Sequence, residues 1–250
     1  MEVHRHTHSG HGSRWKNILS EFFMLFLAVF CGFLAEYELE HRVEQNREEQ
    51  LMRSMVADLD ANELLLQKQK TSLLSRKASC DSMRFFMEKS RILSSGADIY
   101  FHARRLGFFT NQNTLATRSL DQLKNGGMFR LIRIIPVADS LSYYDNSKNQ
   151  YEDLINWYIE DVKKVQDANK ALFDSRVFDQ STRYQGLYRF DPLRPEGNPP
   201  LLTYEAGKLQ EYYNTVYYLK RNTEVLLQSV DNMLAMGQRM KQLIIDSYRL

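Results

Sequence analysis

The feature that most constrains this chain is an unbroken apolar run near its N-terminus, FFMLFLAVFCGFLA from Phe22 to Ala35. With the four residues before it, the stretch as a helix spans roughly 27 Å, close to the ~30 Å hydrocarbon core of a bilayer. Trp15 and Lys16 precede it and Tyr37 follows it, and such side chains favour the headgroup layer. The sequence therefore predicts a transmembrane helix over residues 18–36.

Three other interpretations of this run are weighed against an uncleaved signal anchor. A buried helix of a soluble domain is disfavoured because the run is apolar on every face. A cleavable signal peptide fits a basic stretch followed by an apolar run, but a cleavage site after Ala35 would have Phe33 where a small residue is needed. A lipoprotein site at Cys31 would follow bulky Phe30. The anchor is the favoured interpretation, and cleavage is the remaining alternative.

The charges beside the span predict its orientation. Arg14 and Lys16 adjoin its N-terminal end, whereas the other flank has three glutamates before its first basic residue, Arg42. Farther along, Arg47 and Arg53 even the count. Because basic flanks stay in the cytoplasm, we expect a cytoplasmic N-terminus and a large C-terminal part outside. In a Gram-negative cell this is an inner-membrane protein with a periplasmic domain.

Two features inside the span are candidates for a functional role, a stripe of small residues and a carboxylate. Ala28, Gly32 and Ala35 recur at i, i+4 and i+7 with Cys31 beside them, and small residues on one stripe allow transmembrane helices to pack. Glu21 is a candidate intramembrane carboxylate, although one turn from the interface it can reach water.

Residues 1–17 form a predicted cytoplasmic tail that is rich in histidine. Neutral imidazoles among flexible residues can bind zinc or nickel, but no Cys or carboxylate stands at ligand spacing, so no specific metal site is predicted. The candidate ligands are His4, His6, His8 and His11.

Residues 37–250 are predicted to form one helical soluble domain, which makes the fold class all-α. No Gly or Pro occurs from Glu36 to about Ser94, and apolar residues recur there every seven positions. The companion positions Asn62, Gln69 and Arg76 are polar, which argues against a free two-stranded coiled coil. We expect a long helix that continues from the membrane and packs one face on other helices. Its apolar stripe is Met52, Leu59, Leu66, Leu73, Cys80 and Met87.

Further helices are predicted after a break at Ser95-Gly96. A helix over residues 113–123 ends at Asn125-Gly126-Gly127, and Pro136 suits the start of the next one. The following stripe is Tyr151, Leu154, Tyr158, Val162, Val165, Asn169 and Leu172.

Residues 180–202 hold four of the five prolines and are predicted to be a long connection. The segment YQGLYRF could form a strand, but it has no evident partner. Thr203 is the predicted N-cap of the last helix. The stripe of that helix is Leu226, Val230, Met233, Gly237, Met240 and Ile244, and its tyrosines Tyr212, Tyr213, Tyr217 and Tyr218 are attributed to packing.

Composition excludes several functions. With 33 Lys and Arg against 31 Asp and Glu, the chain lacks the basic field of a nucleic-acid binder. No P-loop, GxGxxG, GxSxG or HExxH motif occurs, so neither catalysis nor a cofactor is predicted. Cys80 is predicted to be a small core residue, and the carboxylates Asp58, Asp60 and Glu63 are attributed to a solvated face.

Two segments carry a resemblance. The run from Glu21 to Glu36, and LDQLKNGGMFRLI (Leu120–Ile132) followed by VADSLSYYD (Val137–Asp145), resemble an uncharacterised family of single-pass, N-terminally anchored helical membrane proteins of Bacteroidota-type bacteria. The resemblance implies an N-terminal anchor and a helical extracytoplasmic domain. It implies no catalytic residues.

The predicted function is that of a membrane-anchored structural or interaction subunit that self-associates or docks on a membrane complex. Its partners are the bilayer and either further copies or other subunits. The alternative is an extracytoplasmic helical sensor or ligand-binding domain that acts through a partner. A third hypothesis, an accessory of a small pore or motor, depends on Glu21.

Overall fold

The computed structural model describes residues 12–108, 114–186 and 189–250, and within them the protein is almost entirely helical. The predicted all-α class is therefore confirmed for this part of the chain. The helices are α1 (Gly12–Phe86), α2 (Gly96–Leu106), α3 (Arg118–Asn125), α4 (Ile135–Leu172), α5 (Ser175–Gln180) and α6 (Ala206–Tyr248), and one hairpin joins β1 (Thr182–Gly186) to β2 (Arg189–Pro192). The chain divides into two compact units, Met1–Leu51 and Met52–Leu250, which are described separately.

In the first unit, the apolar run lies on α1 with its large hydrophobic side chains exposed. Phe22 and Phe30 both stack on Phe26, with ring centroids 6.4 and 5.9 Å apart. This is the one helix among the described residues that is long and apolar enough to cross a membrane.

In the second unit, the predicted heptad stripe is buried from Met52 on α1 to Met87, the residue after the end of that helix. The stripes of α4 and α6 are buried too, apart from the partly exposed Leu154, Tyr158 and Gly237. These faces meet because each helix has one continuous apolar side that must leave water.

Five pairs of polar side chains show that α6 runs antiparallel to α1. In successive pairs, the residue number on α1 rises while that of its partner on α6 falls. The pairs are Asp60–Lys241, Glu63–Gln238, Lys70–Asp231, Lys77–Glu224 and Asp81–Lys220. We call these five pairs the α1–α6 ladder.

The first break differs from the prediction. Helix α1 ends at Phe86, well before the expected Ser94, and Gly96 begins α2 instead of interrupting a helix. The Gly96 amide donates to Oδ1 of Asn198 at 2.6 Å, and Nδ2 of Asn198 donates to the Leu93 carbonyl at 2.8 Å. Gly96 allows this close approach, because a Cβ there would lie 2.1 Å from the Pro199 carbonyl oxygen.

The connection over residues 180–202 contains structure that the sequence did not predict. Its first residue is the last residue of α5. The segment that was predicted as a lone strand contributes to both β1 and β2, which pair as an antiparallel hairpin. Arg183 lies opposite Asp191, and the register is irregular after Tyr184. Thr203 is not the N-cap of α6, because the helix begins at Ala206 and Glu205 takes that position. The Thr203 hydroxyl instead accepts a hydrogen bond from the Glu205 amide at 3.1 Å.

The predicted break between α3 and α4 is present. Gly127 adopts a left-handed φ of 61°, which glycine tolerates best, and a short 3-10 turn follows over Met128–Leu131. Pro136 lies in the first turn of α4, where its missing amide hydrogen costs no helical bond.

Candidate functional site

The predicted transmembrane residues all lie exposed on α1: Glu21, Ala28, Cys31, Gly32 and Ala35. A Cβ added at Gly32 would meet nothing within 4 Å. Among the described residues, no contact therefore requires a glycine at position 32. The histidines His4, His6, His8 and His11 lie outside the described residues.

The side chains of the span are sorted around the helix axis. At roughly 100° per residue, Phe22, Phe26, Phe30 and Phe33 share one side of α1. Glu21, Ala28, Gly32 and Ala35 fall on the roughly opposite side, which we call the small-residue face, and the bulkier Met24 and Leu25 lie at its edges. Cys31 borders it.

In the second unit, the polar positions that argued against a coiled coil are buried or, at Gln69, half-buried residues with partners on α4. The Asn62 amide donates to the Tyr144 hydroxyl at 3.3 Å, and the Tyr151 hydroxyl donates to Gln69, each pair 82 residues apart. The Arg76 guanidinium lies 5.5 Å from the Tyr158 ring centroid, and 158 − 76 is again 82. Both helices thus repeat every seven residues in a parallel register, and three tyrosines face the three polar residues. Sequence reasoning missed this match, although the common interval is visible in the sequence.

Polar side chains of α1 also hold the segments between helices. Asn62 accepts from the Ala116 amide at 2.6 Å and donates to its carbonyl at 2.9 Å. Asp58, predicted on a solvated face, is instead buried, and it accepts from the Ser119 amide at 2.8 Å. This carboxylate satisfies an amide at the N-terminus of α3, where the helix dipole favours negative charge.

The C-terminus of α2 is capped by side chains from two helices. Arg76 donates to the carbonyls of Leu106 and Phe108 at 2.7 and 2.6 Å. Gln166 donates to the Gly107 carbonyl at 2.6 Å, and Asn169 to that of Ala103 at 3.2 Å. These donors satisfy carbonyls that a helix end leaves unpaired.

Burial shifts the protonation equilibria of several groups. It raises the pKa of the Cys80 thiol to about 12, and it lowers the pKa of His102, with a smaller contribution from Arg105, to about 4. Burial also raises the pKa values of Tyr151 and Tyr212. Near neutral pH each of these groups therefore holds a single protonation state. Cys80 is the inert core residue that the sequence predicted.

A cleft opens between α1, α4 and α6 beside Leu59, Tyr144 and Gly237, with space for about one water molecule. The predicted tyrosine packing holds for Tyr212, which is buried edge-to-face against Phe173 at 5.5 Å. It is wrong for Tyr217 and Tyr218, which are exposed. No group of three or more His, Cys, Asp or Glu side chains that could hold a metal occurs in the described ranges.

Comparison of the chain with protein-family models, with curated proteins and with solved structures found no match. The resemblance carried by residues 21–36 and 120–145 therefore stays a prediction.

Proposed function

We propose that this protein is a structural subunit anchored in a bacterial inner membrane by α1, and that it associates with further copies through the small-residue face. The observation that carries the proposal is the complete exposure of the apolar run. Contiguous exposed apolar surface of this extent is unusual on a soluble protein, whereas a bilayer removes its contact with water.

The arrangement of side chains around α1 supports lateral association. Lipid chains present the same environment to every side of an isolated span, so lipid alone gives no reason to separate bulky from small residues. The small-residue face lets a second backbone approach closely, and Gly32 has open space for it. The phenylalanines on the other side then face lipid.

The flanking charges support a cytoplasmic N-terminus and a periplasmic second unit. After the span, Glu38 is paired with Arg42 at 2.9 Å, so the first basic residue on this side is partly neutralised. Docking on another membrane complex through the same face is the second form of this function.

Replacing Gly32 by leucine tests the proposal. We expect Gly32→Leu to weaken self-association roughly tenfold, because the larger side chain separates the backbones. The matched control is Val29→Leu, which adds bulk on the phenylalanine side and should change association less than about twofold. Sedimentation equilibrium of the full chain in density-matched detergent measures both.

Two results would contradict this function. A wild-type chain that sediments as a monomer at every concentration excludes self-association. Equal weakening by Gly32→Leu and Val29→Leu excludes the small-residue face as the contact.

A further inference from the structure

Two arginines, Arg76 and Arg105, lie at the seam between α1 and α2. Arg76 is 5 % exposed, and its described contacts are two backbone carbonyls and the Tyr158 ring. Arg105 is half-buried and donates to the Ser75 hydroxyl. No Asp or Glu of the described residues forms an ion pair with either arginine. Buried charges in proteins are ordinarily paired, so this seam is unusual.

The positive charge at the seam is only partly compensated. The C-terminus of α2 contributes roughly half a negative charge, against two guanidinium groups. Burial, and then the charge of Arg76, lower the pKa of Arg105. Arg76 and Arg105 therefore repel each other in a region that water screens poorly.

A buried histidine whose ring nitrogen Nδ1 has no hydrogen-bond partner among the described residues lies one helical turn from Arg105. His102 precedes Arg105 by three residues on α2, is 7 % exposed, and has no hydrogen-bond partner at Nδ1. Its ring stacks against Phe86 at 6.0 Å. The charged groups that act on it are Arg105, Asp98 and Arg194, and Asp98 is paired with Arg194 at 2.9 Å. Among the described residues, Asp98 forms no ion pair with Arg105.

We propose that the α1–α2 seam binds a small oxyanion of the inorganic phosphate class, with Arg105 and Arg76 supplying the positive charge. Planar guanidinium groups with spare N–H donors match several anionic oxygens at once. The Ser75 hydroxyl can donate as well, and the neutral His102 ring can carry its proton on Nδ1. The anion would supply the charge that the chain itself does not.

Thermal unfolding of the full chain in phospholipid-free detergent tests this site. Phosphate at about ten times its dissociation constant should raise the Tm by about 3 °C over chloride at equal ionic strength. Arg105→Gln should lose this shift. The matched control is the neighbouring Arg104→Gln, which should keep the shift because Arg104 bonds Thr182 and Tyr184 of the hairpin. No shift in the wild type, or equal loss in both variants, would overturn the proposal.

A second measurement needs no variant. In the wild type, phosphate titration should shift the His102 ring signals in NMR spectra saturably, whereas those of His41 should stay unchanged. Unchanged His102 signals, or parallel drift of both histidines, would overturn the site.

Discussion

At the residue scale, Gly237 lies in the middle of α6, where glycine costs helix stability. A Cβ there would lie 3.8 Å from Leu59 and 4.0 Å from Tyr144, which is ordinary contact distance. We expect Gly237→Ala to raise the free energy of unfolding by about 1 kcal/mol, because alanine loses less backbone entropy and fills part of the cleft. Thermal unfolding of the full chain measures it.

Gly96→Ala is the contrasting substitution. Its methyl group would overlap the Pro199 carbonyl, so we expect a loss of about 2 kcal/mol. If Gly96→Ala left the free energy of unfolding unchanged, residues 198–199 would not approach α2 as closely as the structure shows.

His102 makes stability depend on pH in a defined direction. The pKa of His102 is about 4 in the folded protein, against 6.5 for an unperturbed histidine, so the unfolded chain binds more protons between these two pH values. Stability is therefore highest above pH 6.5 and falls as the pH drops toward 4, by about 2 kcal/mol once partial screening is allowed for. Urea unfolding in chloride buffers measures it, and His102→Gln should flatten the slope. If the free energy of unfolding of the His102→Gln variant depends on pH as steeply as that of the wild type, the pH dependence comes from carboxylates and not from His102.

At the element scale, the α1–α6 ladder should specify the antiparallel register. Lys70 and Asp231 lie 2.7 Å apart and are about half exposed. We expect Lys70→Asp or Asp231→Lys alone to cost about 0.5–1 kcal/mol, because each places like charges together, and the double variant to recover most of it. Chemical denaturation gives the coupling, which 1 M NaCl should largely remove. If the two single changes in the free energy of unfolding simply add in the double variant, this ion pair contributes nothing to the association of α1 with α6.

The helices show which elements sequence periodicity can predict. Apolar stripes on α1, α4 and α6 were predicted because burial requires one continuous apolar face per helix. Apolarity alone does not predict the tyrosine partners of Asn62, Gln69 and Arg76, because each partner lies 82 residues away on α4. Asp58 was misassigned because only the tertiary structure brings the α3 N-terminus beside it. The hairpin is not predicted, because YQGLYRF has no evident partner strand in the sequence, whereas in the structure this segment supplies residues to both strands.

At the scale of the whole molecule, the proposed orientation can be tested through cysteine chemistry. Of the two cysteines, Cys80 is fully buried and its raised pKa keeps it a thiol, so it should not react with maleimides. Cys31 is exposed on the apolar run. The test therefore uses a variant in which Cys31 is replaced by serine. Ser90→Cys then introduces one reactive thiol at an exposed position between α1 and α2.

A membrane-impermeant maleimide distinguishes the two orientations of this Cys31→Ser, Ser90→Cys chain. With a cytoplasmic N-terminus, residue 90 faces the periplasm, so intact spheroplasts should label as fully as permeabilised ones. The Cys31→Ser chain without the new cysteine is the control for Cys80 and should stay unlabelled. Labelling of residue 90 only after permeabilisation would reverse the orientation. Labelled protein in the soluble fraction would contradict the anchor itself, because an uncleaved apolar span keeps the chain in the bilayer.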